Sequence, residues 1–65
     1  MTNNYHIQLI IKGLKKAIKN EDTQRIQELY DEANMIDLEK VSHNLFSEYD
    51  RLVDRGNDII MEKAA

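Results

Sequence analysis

LEKVSHNLFSEYDRLVDRGNDII, residues 38–60, is the longest periodic stretch of this 65-residue chain, and its reading decides the fold. Leu38, Leu45, Leu52 and Ile59 recur every seven residues, and Phe46, Val53 and Ile60 form a second series one position over. Val41, Tyr49 and Gly56 fall between or beside them. At about 100° per residue these positions share one broad face of an α-helix. Asp37 precedes the run as an N-cap, because its carboxylate can accept from the free N–H groups of a first turn. Ile36 and Val41 flank that cap with the spacing of a hydrophobic staple. The pattern predicts a helix over 38–62. Its weak point is Arg55-Gly56-Asn57-Asp58, where glycine can stop one helix and Asn57 or Asp58 can start another. Both seven-residue series cross Gly56 in register, which favours an unbroken helix. In such a helix Gly56→Ala should be neutral or stabilising, by up to about 1 kcal/mol.

Upstream, Ile7, Ile10, Ile11, Leu14, Ala17 and Ile18 are separated by steps of one, three and four, the mark of an amphipathic helix. Thr2, Asn3 and Asn4 are its capping candidates, with Asn3 or Asn4 preferred, and it is expected over 4–19. Gly13 sits beside the apolar face, either incidentally or to let a neighbouring helix approach. Asn20-Glu21-Asp22-Thr23 is a polar break in which Asp22 or Thr23 can cap a second helix. Ile26, Leu29, Tyr30 and Ala33 carry that helix over 23–34, Arg25 pairs with Glu28 on its wet side, and Asn34 suits a left-handed C-cap.

Size and composition bound the rest. One domain, 1–65, is expected, and at this size a core rarely supplies more than about 3–5 kcal/mol net. With no cysteine and two distant histidines, disulfides and structural zinc are set aside, leaving helix packing or self-association. No proline interrupts the helices, and no apolar run approaches a membrane span. The opening Met-Thr-Asn-Asn-Tyr-His has neither a basic n-region nor a cleavage signal, so a cytoplasmic protein is expected. Abundant Ile, Lys, Asn and Tyr suit an AT-rich coding genome, bacterial or phage. The net charge of −3 conceals an asymmetry: the first twenty residues hold four lysines and no acid, while the other forty-five hold twelve acids and five bases.

No pattern of catalytic or cofactor-binding residues emerges. Glu39, His43, Ser47, Asp50 and Asp54 align on one side of the long helix and invite a nucleophile or metal reading. That side is turned from the apolar face, and a solvated stripe on one helix cannot enclose a substrate. There is no phosphate-binding loop, no dinucleotide fingerprint and no helix-turn-helix glycine turn. Ser42 to Phe46 resembles the Ser-x-x-Leu-Asp signature of a family of small helical phosphatases. Phe46 stands at the place of that signature's functional aspartate, so the resemblance implies no activity here.

The expected fold is all-α: two short helices packed on one long C-terminal helix. The short helices either lie end to end along the long one, or its far end protrudes and pairs with another chain. Its apolar face is wider than a coiled-coil seam, which favours a symmetric dimer forming a helical bundle. Tyr30 and Tyr49 read as core anchors, whereas Phe46, Val53 and Ile60 lie on a flank short of intramolecular neighbours. The expected function is a non-enzymatic regulator, adaptor or inhibitor binding another protein. Phe46, Val53 and Ile60, with Tyr49 alongside, and Lys12, Lys15, Lys16 and Lys19 are the candidate partner-binding residues. The lysines also support an alternative, weak and salt-sensitive nucleic-acid binding. A purely structural homo-oligomer is the third reading. No metal, cofactor or membrane contact is expected.

Overall fold

The apolar periodicities fold as three α-helices in a computed structural model that describes residues 3–64: α1 (Asn3–Lys19), α2 (Thr23–Asn34) and α3 (His43–Ala64). Among the described residues there is no strand. Thr2, one of the capping candidates, lies outside them. At one end, the Ser42 N–H donates to Asn4 Oδ1 at 2.8 Å, placing the start of α1 beside the start of α3. At the other, Lys63 Nζ lies 3.3 Å from Glu21 Oε1 in the α1–α2 turn. α1 and α3 therefore run parallel, and α2 returns antiparallel to both. At 1.5 Å per residue α3 is about 33 Å long, close to the 37 Å length of the whole molecule. The short helices pack side by side along it, not end to end.

Most of the core belongs to α1. Ile7, Ile10, Ile11, Leu14, Ala17 and Ile18 are all buried, joined by Ile26, Leu29 and Ala33 from α2. On α3 only the spine, Tyr49 and Gly56, is buried. Leu45, Leu52 and Ile59 on one side of that spine, and Val53 and Ile60 on the other, are half-buried against the core. The longest periodic stretch is thus the cover of the bundle, and the helix with the most buried residues is its centre.

The long helix starts later than the heptads predict. Leu38–Lys40 is a separate 3₁₀ turn, Val41 is extended, and α3 opens at His43. Asp37 does cap, but it caps the short turn, accepting from the Glu39 N–H at 3.2 Å. Ser42 then caps α3: its carbonyl takes the Phe46 N–H at 3.0 Å and its Oγ the Leu45 N–H at 3.4 Å. The chain has to cross the base of the bundle here, burying Ile36 and Val41 on the way. A straight helix from 38 would not make that crossing. At the other end the helix continues past position 62 to Ala64.

The left-handed residue also falls elsewhere. α2 ends through Met35 at φ −85°, with Asn34 inside the helix. Glu21, at φ 54°, is instead the described non-glycine residue with positive φ. Its N–H bonds the Ile18 carbonyl at 3.1 Å, and the Asp22 N–H bonds the Ala17 carbonyl at 2.9 Å. That is a Schellman ending of α1, with glutamate where glycine is usual. Asp22 then caps α2 by accepting from the Arg25 N–H at 3.1 Å.

Both glycines are packing devices. A methyl group at Gly13 would stand 3.2 Å from each terminal methyl of Leu29, so its absence admits α2. α3 runs unbroken through Gly56, as the register predicts. The corollary for Gly56→Ala does not follow, because a Cβ there would overlap the Tyr30 hydroxyl and sit 3.1 Å from Ile26 Cγ2. Helix propensity favours alanine at this position and the neighbouring helix opposes it.

Candidate binding surfaces

With the core on one side of α1, the opposite side faces outward. About 100° per residue puts Tyr5, Leu9, Lys12, Lys16 and Lys19 within roughly 80° of one another there. All five are exposed, Tyr5 at 54 % and Leu9 at 50 %. Leu9 lies opposite the core and keeps half of its surface in water. Between this face and the first turns of α3 runs an open groove of about 480 Å³, lined by Tyr5, Leu9, Lys12, Lys15, Leu45 and Glu48 among others. Lys15 Nζ and Glu48 Oε2, 2.7 Å apart, bridge its two walls. Among the described residues Lys12, Lys16 and Lys19 form no ion pair.

A second, shallower depression of about 410 Å³ lies at the base of the bundle, formed by Leu38, Glu39, Val41, His43 and Phe46. Phe46 is 41 % exposed there. Two residues of an α-helix differ by about 160° around its axis, so Phe46 and Glu48 face opposite flanks of α3. The Phe46 depression and the lysine groove are separate surfaces.

The expected partner-binding residues are therefore dispersed. Phe46 is open. Val53 and Ile60 lean on the chain's own core, so the flank has intramolecular neighbours along most of its length. Tyr49 is buried and cannot meet a partner, in keeping with its reading as a core anchor. Burial raises its hydroxyl pKa above the ordinary value of 10.0. The four lysines are all exposed on α1.

Tyr30 is half-buried and donates from its hydroxyl to the Val53 carbonyl at 3.0 Å. Desolvation raises its pKa, and the charges of Tyr49 and Asp54 add to the rise. The Tyr30 hydrogen bond ties α2 to α3.

The Glu39-His43-Ser47-Asp50-Asp54 stripe is split by the break before α3. Glu39 lies in the 3₁₀ turn, and of the four on α3 only Ser47 is even partly buried. Among the described residues no three His, Asp or Glu side chains are grouped to hold a metal ion. No helix among them is long and apolar enough to cross a membrane.

Tyr5 and Leu9 are the residues that periodicity passed over. The signal for Leu9 was available: it is the one aliphatic residue of α1 outside the steps of the apolar face, about 140° from its centre. Comparison with known proteins finds no matching family, no matching curated protein and no matching solved structure.

Proposed function

We propose that the chain is a non-enzymatic binding protein, a small regulator, adaptor or inhibitor that engages another protein through side chains its own core leaves open. The observation that carries this reading is the Tyr5–Leu9 pair, four residues apart on the outward face of α1. Among the described residues the bundle already buries twelve apolar side chains and no polar one, and Leu9, half exposed, is not among them. An aromatic and a leucine bordered by charge have the composition of an interface hot spot.

The test compares capture from a host lysate by the native chain and by a Tyr5→Ser/Leu9→Ser variant. Equal melting temperatures are required first, and both positions are exposed enough to expect them. Loss of the captured protein supports the reading. Undiminished capture by this variant, and by a Phe46→Ser variant, would remove it.

Two other readings keep a specific support. Lys12, Lys16 and Lys19, exposed on one helix, can track phosphates, and duplex DNA at low salt tests this directly. A homodimer on the flank expected from the sequence would close over Phe46 and the depression beside it. In that case Phe46→Ser yields a monomer of unchanged melting temperature. A concentration-independent monomer mass for the native chain in the ultracentrifuge removes the dimer.

A further inference from the structure

Resting on the protein-binding reading above, we infer that the α1–α3 groove receives an acidic amphipathic helix of the partner, laid along α1 as a fourth helix of the bundle. The groove and the outward face of α1 beside it together select that occupant. Its apolar floor is short: Tyr5 and Leu9 on α1 and Leu45 on α3. From Tyr5 to Lys19 the outward face measures about 21 Å at 1.5 Å per residue, the length of a helix of roughly four turns. An amphipathic helix reads such a strip with apolar residues spaced three and four apart.

Charge sets the second half of the specificity. Beyond the apolar pair the face presents Lys12, Lys15, Lys16 and Lys19, and the acid on the groove is Glu48, already paired with Lys15. Lys12, with Lys15 paired to Glu48, leaves the groove lining itself at +1, and α1 as a whole carries four positive charges and no negative one on a molecule whose net charge is −3. Carboxylates on the flanks of the incoming helix would meet Lys12, Lys16 and Lys19, which form no ion pair among the described residues. Lysine heads on flexible stems tolerate carboxylates at several registers, whereas the apolar floor fixes the position.

The same observations disfavour a nucleic acid. A duplex carries charge far beyond 21 Å, and outside α1 it would meet twelve acidic residues against five basic ones. No arginine stands among the four lysines to read a base edge. A short acidic segment fits inside the positive patch, and a long polyanion does not.

The experiment is a display selection of random 16-residue peptides against the full-length native chain, with selected peptides titrated into wild-type and variant proteins at low and high salt. The inference expects enrichment of peptides combining helical apolar spacing with net negative charge. Leu9→Ser should weaken them by about tenfold or more, as loss of an interface anchor does. Lys12→Gln/Lys16→Gln should weaken them by about tenfold at low salt and much less near 0.5 M, because screening removes the attraction in both proteins. Phe46→Ser, on the opposite flank of α3, should change nothing.

Enrichment of neutral or basic peptides, or binding abolished by Phe46→Ser and indifferent to Leu9→Ser, overturns the acidic-helix occupant while leaving a protein-binding function in place. Absence of any enriched peptide, combined with lysine-dependent binding of duplex DNA, overturns both. Absence of any enriched peptide without DNA binding overturns the occupant alone.

Discussion

At the scale of single residues, the contact between Gly56 and Tyr30 carries the sharpest predictions. Gly56→Ala should destabilise by about 1–3 kcal/mol, the usual cost of forcing an extra methyl into a packed interior. Thermal or urea unfolding measures it, and a rise in stability would place the two helices further apart than they stand here. The atom in the way is the Tyr30 hydroxyl, so the cost should shrink in a Tyr30→Phe background, a non-additivity that a double-mutant cycle reads directly. Tyr30→Phe alone removes the hydrogen bond to the Val53 carbonyl and should cost about 1 kcal/mol. Its pH dependence follows from burial, which raises the hydroxyl pKa above 10.0 in the folded chain. The folded state therefore holds the proton more tightly than the unfolded one. That contribution is complete below pH 10 and is lost as pH rises through the folded value. Melting temperature should fall above pH 10, and fall less steeply in Tyr30→Phe.

At the scale of elements, the ends of the helices decide more than their interiors. Glu21 holds the left-handed position of a Schellman turn, a conformation that costs a residue with a Cβ roughly 1 kcal/mol. Glu21→Gly should accordingly stabilise by about 0.5–1 kcal/mol. The exposed ion pair to Lys63 that it forfeits is worth little on this scale. An unchanged or lower unfolding midpoint would mean that the ion pair, not the backbone, governs this turn. The cap of α2 was legible because capping is local: Asp22 needs only the N–H groups that follow it, whereas Asn3 and Asn4, the preferred caps of α1, lie inside that helix and Asn4 accepts from Ser42 instead. The start of α3 was not legible by the same logic, since both Asp37 and Ser42 are good caps. Choosing between them depends on the crossing that buries Ile36 and Val41.

On the scale of the whole molecule, the basic helix and the acidic remainder are held together with few direct charge contacts. Of the four lysines on α1, Lys15 pairs with Glu48, and both side chains are more than two-fifths exposed. Replacing Lys12, Lys15, Lys16 and Lys19 by glutamine should therefore leave stability within about 0.5 kcal/mol of native, the ordinary range for surface changes. Circular dichroism melts check this. A large loss would show that the asymmetry supports folding and would withdraw these lysines from any role in recognition. A preserved fold makes the same variant the right reagent for partner binding, where it should slow association more than it speeds release.

By itself the sequence determined the all-α class, the number of α-helices, the ends of α1 and α2 to within a residue, and the continuity of α3 through Gly56. These are consequences of period and capping, which act within a few residues along the chain. It also located the exposed lysines, because charges that no apolar face can bury must point to water. Only the tertiary structure decided which helix is central, since burial depends on how many neighbours a face meets and not on how long it is. It decided that Val53 and Ile60 are covered from within while Phe46 is left open. It likewise turned Gly56 from a removable weakness into a seat for Tyr30, and put Tyr5 and Leu9 beside Leu45 in one groove. Gly56 and Tyr30 stand 26 positions apart in the chain and Leu9 and Leu45 stand 36, and no periodicity in a single helix encodes the distance to another.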